Sequence, residues 1–585
     1  MSLSEEHFRD QISMLSTKVK ADPVRSLGDI FKGYIEDLRI AELDDKKILL
    51  IKLYQLNIVY LYLRAEREDI PSLFEKIQEL NPVVDDDYLT SMVITAFSKV
   101  SLGDKEGSDR LFSEFENHYE NNSSLLVRSG GEYHYFKAFI GLRANQLEAI
   151  SDHIEQGLWI FQELDDASGL ARMYQIIGEK FMMKQSFGEA KINIHKSINL
   201  AEKTEISVIR AFSYYLYGVL HKKLSQPQIS IEFLSKSKSI YTRLDMKSHL
   251  AEMLNELGIL YSWHLGEYSK AEQSYQEALI LSLTHEFTER LPNIYNNLAT
   301  IEELRGNFFK AEDYLKSSIE IFLKINRKGG ANVSKLNLGI IYTKLGKAMI
   351  AKDIFDEVAR FAEEINNYPL RAYSNYYLLR SYLTSGEVEK AQDQHKKFQE
   401  ICTQQVEKFY KNLGLLGNSI FLMNSSDPMT YFSSKTPLLE IINTESAEYK
   451  LKIDAMLYMN EVLLKEYITF KKRDRLNELE ENIELLLTIS KKKRLVMLET
   501  DTLILKAHLS EVLGEISPSE EFLNLAMEIA SAKGLLQRIP IIESEIKMLQ
   551  NRVIEINRNL QDHQNIMDRI VDTKIEEYIQ RMITS

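Results

Sequence analysis

The residue types that carry out chemistry are present in this chain, but not in the spacings that chemistry needs. Cys402 is the one cysteine. A lone thiol forms no intramolecular disulfide and builds no thiolate metal site, and with no His beside it Cys402 reads as structural. The twelve histidines are scattered. None forms H-E-x-x-H, and His134 and His153 lack the spacing that sets two ligands on one helical face. No G-x-x-x-x-G-K-[ST] or G-x-G-x-x-G loop is there to cradle a phosphate, and Gly130–Gly131 and Gly329–Gly330 read as punctuation between helices. Asp and Glu are plentiful, but in helices they serve mostly as solvated faces and i, i+4 partners. With no nucleophile beside a base and no ligand cluster, the expectation is no enzyme, no cofactor and no metal.

Two basic runs stand out, Phe470–Arg475 and Lys491–Arg494. They lack the aromatic interleaving and basic surroundings of a nucleic-acid site, and the second complements a helix C-terminus. The net charge of −14 speaks against nucleic acid or an anionic membrane as the main partner. The most apolar stretch, Ile48–Leu63, is interrupted by Lys52, Tyr54, Gln55 and Asn57 and is too short to span a bilayer. The start of the chain has no basic segment followed by an apolar one, so the expected location is cytoplasmic.

The elements that hold these side chains must be helices. Only 10 Pro and 24 Gly occur in 585 residues, and a chain this long is several domains or a repeat array. Self-similarity settles which. Leu338-Gly339-Ile340-Ile341-Tyr342, then Gly346, Ala351, Phe355 and Val358, form a pattern that recurs. Its second-helix marker falls at Ile150, Ala190, Ser230, Ala271, Ala311, Ala351 and Ala391, at intervals of 40, 40, 41, 40, 40 and 40. The first-helix marker keeps step at Ala138, Gly178, Gly218, Gly258, Ala299, Gly339 and Leu379. The one interval of 41 places an extra residue in the turn Trp263-His264-Leu265.

This pattern resembles the tetratricopeptide repeat, a helix-turn-helix unit of 34 residues in its basic form. Small residues such as Gly339 and Ala351 let two helices approach, Tyr342 and Phe355 fill the space between them, and Gly346 turns the chain. A 40-residue version is similar to the repeats of kinesin light chain and the Pins-type mitotic adaptors, which Asn296-Asn297-Leu298-Ala299 and Leu336-Asn337-Leu338-Gly339 match closely. Multi-repeat proteins of archaea and bacteria are similar as well. The chain departs from the family at Ser230, where Ala is usual, and in the scarcity of the Pro that closes a unit.

The resemblance implies an all-α fold, a right-handed α–α superhelix with a long C-terminal helix, whose concave wall binds a protein or peptide. Positions on the first helix of each unit face inward, as at Tyr135, Gln175 and Tyr215 in the earlier repeats. The groove candidates for a peptide are Asn255, Ile259, Asn296, Thr300, Leu336, Ile340, Tyr376 and Arg380, with Asn297 and Asn337 one step further. An Asn amide can satisfy both the N–H and the C=O of an extended backbone; the other reading is that these Asn only hydrogen-bond adjoining helices. The function expected is a non-enzymatic interaction scaffold. A peptide-responsive regulator of the Rap or pheromone-receptor type is the alternative, and that class carries an N-terminal effector.

Around the regular array, 131–423, the pattern loosens. Residues 1–130 are helical with a degenerate repeat at Gly103, Ser108, Phe112 and Phe115, and Ser129-Gly130-Gly131 marks a break. Pro428 and Pro437 punctuate a linker, 424–437, and 438–540 form divergent helical repeats with long helices near 446–468 and 474–490. In 541–585, Ile542, Ile546, Leu549, Val553, Ile556, Leu560, His563, Met567 and Ile570 form a heptad seam. A cap on the solenoid and a homodimer through 541–585 both remain open from sequence.

Overall fold

A computed structural model of the chain describes residues 5–584 apart from 22, 24–25, 42–44, 65, 122–126, 205, 405–407, 445–446, 494, 534, 536–537 and 559–565. The described residues are helical throughout, with turns between. The first helices are α1 (Glu5–Ala21), α2 (Ser26–Ile40), α3 (Lys46–Arg64) and α4 (Ile70–Glu79). Hairpins follow: α5 (Asp86–Ser101) with α6 (Lys105–Asn121), α7 (Arg128–Arg143) with α8 (Ser151–Glu163), α9 (Ala167–Met183) with α10 (Phe187–Glu202), and α11 (Ser207–Lys223) with α12 (Pro227–Arg243). Next come α13 (Lys247–Ile259) with α14 (Tyr268–Thr284), α15 (Leu291–Leu304) with α16 (Phe308–Lys324), α17 (Lys328–Lys344) with α18 (Ala348–Glu364), and α19 (Tyr368–Thr384) with α20 (Val388–Thr403). The remainder is α21 (Lys408–Leu422), α22 (Pro428–Ser433), α23 (Lys435–Asn443), α24 (Tyr449–Phe470), α25 (Asp474–Lys493), α26 (Val496–Leu513), α27 (Ile516–Lys533), α28 (Ile539–Arg558), α29 (Ile566–Thr573) and α30 (Ile575–Thr584). Contacts divide the chain into two compact units, Met1–Met253 and Leu254–Ser585.

The repeat period has a backbone cause. A residue with positive φ closes the turn inside each hairpin, at Asn145, Gln185, Ser225, Gly266, Gly306, Gly346 and Gly386. A second set turns the chain into the next hairpin, at Asp165, Asp245, Glu286, Asn326 and Asn366. Gly, Asn and Asp dominate because a left-handed residue costs them least. The extra residue of the 41-residue interval is not in a loop: Leu260–His264 form a π-helical turn at the end of α13. One inserted residue in a helix is accommodated by a turn of this kind.

Between the two helices of a hairpin the small markers are required. A Cβ on Gly178 would lie 2.4 Å from Ile194, and one on Gly339 would lie 2.6 Å from Phe355. The glycine pairs read as punctuation are instead helical. Gly130 and Gly131 sit in the first turn of α7, and Gly329 and Gly330 in the first turn of α17. A Cβ on Gly131 would come within 2.6 Å of Phe161, and one on Gly330 within 2.5 Å of Phe322, both large side chains of adjoining helices. Close packing, not a loop, needs glycine at Gly131 and Gly330.

In the first unit one apolar core runs from Phe8 through Ile177, so α1–α4 share it with α5–α9. Gly103 turns the chain between α5 and α6, and Ser108, Phe112 and Phe115 are buried. In the second unit the segment 424–437 is not a linker. Asp427 caps α22 by accepting from the Thr430 N–H, Pro428 occupies the first helical turn, where no N–H is missed, and Tyr431 is buried. The C-terminal segment is likewise not one long helix. Lys574, at φ 50, separates α29 from α30, and both pack on α26. Of the described seam residues Ile542, Leu549 and Ile570 are buried within this unit and Ile546 is half-buried. These side chains pack within the unit, the use a cap makes of them. Val553, Ile556, Leu560, His563 and Met567 fall outside the side chains described.

Candidate functional site

The groove residues chosen from sequence all lie in the second unit, on α13, α15, α17 and α19. Asn297 donates to Asn255 Oδ1 at 2.8 Å, and Asn337 donates to Asn296 Oδ1 at 2.9 Å. The amides therefore form a ladder between successive first helices, each link using one half of each amide. Thr300 donates to the Asn296 carbonyl. Leu336, Ile340 and Tyr376 are buried, while Ile259 and Arg380 are half-buried.

What covers them is the chain itself. Lys450, on α24, approaches Glu303 on α15 at 3.3 Å, and Lys344 on α17 approaches the same carboxylate at 3.2 Å. Burial raises the carboxyl pKa of Glu303, but Lys450 and Lys344 outweigh it and hold the value down at about 2. Further along α24, burial raises the pKa of Asp454 against the opposing pull of Lys450, Arg380 and Lys344. Arg380 donates to the Ile583 carbonyl of α30 at 3.3 Å. Tyr449 packs on Gly266, and Met497 on Gly306. The inner wall from Asn296 to Arg380 is thus not an open trough for an extended peptide. A helix of the same unit already faces it, through the ends of long side chains.

An open cavity does exist, in the first unit. It encloses about 310 Å3 between α1, α3, α5 and the N-terminal ends of α7, α9 and α11. Leu56, Val59, Ile94 and Ile209 give it apolar sides, and Lys52, Thr90, Arg128 and Ser168 give it polar ones. Its charged centre is Arg172, which makes a bidentate pair with Glu132, Nη1 to Oε2 at 2.8 Å. The guanidinium lies over the Tyr135 ring, 4.7 Å from its centroid. Arg172 is only 7% exposed, and its Nε–H has no acceptor. Beneath it Gln175 donates to the Ile209 carbonyl and to Ser213. Arg128 stands 3.4 Å from Asp166.

Sequence reasoning passed over these residues because it looked only at the inward positions nearest the small markers. A usable signal was there: Glu132 and Arg172 are 40 residues apart, at the same phase of successive repeats and of opposite charge. Cys402 is buried, which pushes its thiol pKa up to about 12, far from a reactive thiolate. Among the described residues no three His, Cys, Asp or Glu side chains gather as a metal site, and no helix is long and apolar enough to cross a membrane.

Stacked helical hairpins define a helical repeat protein. The family model described as the tetratricopeptide repeat matches residues 251–284, the unit built from α13 and α14. No curated protein matches the chain. Among solved structures, a Rap protein complexed with competence and sporulation factor is similar at 15% identity over 62% of this chain and 98% of that one, with a TM-score of 0.48. A signal transduction ATPase with a tetratricopeptide repeat sensor, from Pyrococcus horikoshii, is 16% identical over 70% of this chain and 66% of that one, with a TM-score of 0.43. NprR in complex with its peptide NprX is 15% identical over 59% and 97%, with a TM-score of 0.41. The chain is a multi-repeat tetratricopeptide protein.

Proposed function

We propose that this protein works without catalysis, as a scaffold that takes an extended segment of a partner protein in the cleft of its first unit. The observation that supports this most directly is Arg172, a lining residue of the cleft whose buried Nε–H has no acceptor. A buried donor without a partner costs about 1–3 kcal/mol, and a peptide carbonyl laid in the cleft relieves that cost. The volume is at the lower end of ordinary ligand pockets, about 300–1,000 Å3, enough for a short stretch of chain rather than a domain. Lys52 at the rim is exposed, and Thr90 and Ser168 offer further hydrogen bonds to a backbone.

The scaffold reading is preferred to a peptide-switched regulator for a structural reason. A regulator of that type carries a separate N-terminal effector, whereas α1–α4 here belong to the core of the repeats.

Peptides selected from a random library on the full chain test the proposal. Thr90→Trp, which fills the cleft, should weaken their binding at least tenfold, while Met349→Lys on the exposed surface of α18 should leave it unchanged. Selected peptides that bind the Thr90→Trp chain as tightly as the parent would sink the cleft as the site.

A further inference from the structure

The basic run Phe470–Arg475 forms the turn of a helical hairpin in the second unit. Lys471, left-handed at φ 56, ends α24, and α25 begins at Asp474. Every residue from Thr469 to Asp474 is exposed. The carboxylates nearby are already engaged. Lys435 lies 3.1 Å from Glu466 and 2.8 Å from Glu478, and Arg475 pairs with the same two acids. Among the described residues no carboxylate pairs with Lys471, Lys472 or Arg473, and Asp474 is the one acid of the turn. Apolar surface lies beside these cations. Phe470 is 48% exposed and packs on Phe432 of α22, with ring centroids 5.1 Å apart. Met429, three residues before Phe432 on the same short helix, is 75% exposed.

Three adjacent cations without counter-charge are out of keeping with a chain of net charge −14. They repel one another, and the exposed rings gain by leaving water. A ligand that carries carboxylates around an apolar side chain relieves both. Its size follows from charge screening, which acts over about 8 Å at physiological ionic strength. A short segment laid on the turn meets the local positive charge, whereas an extended anionic surface such as a bilayer meets the negative field of the whole molecule. Phe470 also packs on Phe432, which makes a platform rather than a wedge. We infer that the α24–α25 turn is a docking point for an acidic segment of a partner protein, one with an aromatic or aliphatic residue flanked by carboxylates. The apolar residue lies on Phe470 and Phe432, and the carboxylates pair with Lys471, Lys472 and Arg473. The site belongs to the second unit and does not rest on the first-unit cleft, so either reading can fail without the other.

The test uses the full chain and, as probe, a fluorescent peptide with a tryptophan set between two runs of glutamate. The parent chain should bind it, with an affinity that falls as salt is raised. Lys472→Glu combined with Arg473→Glu should weaken binding at least tenfold. Lys491→Glu combined with Lys492→Glu makes the same change in net charge at exposed positions at the other end of α25, and should leave binding within twofold. Phe470→Ser alters no charge and should still weaken binding at least threefold, while Thr90→Trp in the first unit should have no effect. Equal losses from the two charge-reversed chains would reduce the site to attraction by net charge and overturn the proposal. It is overturned as well if the parent does not bind the peptide, or if the Phe470→Ser chain binds as the parent does. Vesicles containing phosphatidylserine are run in parallel, and the parent should not bind them. Capture of the chain by these vesicles through Lys472 and Arg473 would assign the turn to a membrane instead.

Discussion

His134 on α7 and His153 on α8 face each other with their Nδ1 atoms 2.9 Å apart, so at least one ring must be neutral and accept at Nδ1 from the other. Burial first, and then the neighbouring ring, hold the His134 pKa down to about 4. Burial likewise lowers the pKa of His153. In the unfolded chain these rings take protons near pH 6.5, while the folded state refuses them until about pH 4 at His134. Stability is therefore complete above the unfolded value and declines as the pH falls through this window. Urea midpoints should drop between pH 7 and pH 5 by the equivalent of about 1 kcal/mol. His134→Gln should flatten that slope, and an unaltered slope would assign the loss to other groups. Spacing in the sequence excluded a shared helical face for this pair, and correctly so. That the two rings meet across a hairpin needed the turn at Asn145 to be placed.

At the scale of the helix, the same residue type has opposite effects within one element. Gly339 in α17 has Phe355 where its Cβ would go, while Gly329 in the first turn has nothing within 4 Å. Gly339→Ala should destabilise by about 1–3 kcal/mol through overpacking. Gly329→Ala should stabilise by about 0.5–1 kcal/mol, because the unfolded chain loses freedom and the folded one meets no obstacle. Chemical denaturation of the two variants, compared at one pH, checks both signs. The markers were legible in the sequence because each pairs with a residue about 16 positions on, inside one hairpin. Gly131 and Gly330 were less so, since Phe161 lies 30 positions after the one and Phe322 lies 8 before the other, outside that spacing.

For the whole molecule, the tail decides between a cap and a dimer. Ile570, Ile575, Tyr578, Ile579 and Met582 are buried in the second unit, and Tyr578 packs on His508 at a centroid distance of 5.0 Å. A chain ending at Arg558 should sediment in the same association state as the full chain, yet unfold at a clearly lower urea concentration, having lost apolar burial of about 1.5–3 kcal/mol for each large side chain. A mass that halves on truncation would restore the dimer. Local pattern in the chain was enough to define the repeat: its phase, its hairpin turns, its close-contact residues and the unit at 251–284 that the family model matches. Those features arise from contacts a few turns apart, which every repeat prints again at the same spacing. What lies against the inner wall follows from the three-dimensional fold alone. Lys450 meets Glu303 across 147 residues, and Arg380 meets Ile583 across 203. Neither partner's local pattern says more than amphipathic helix, so which helix fills which wall depends on where the chain returns.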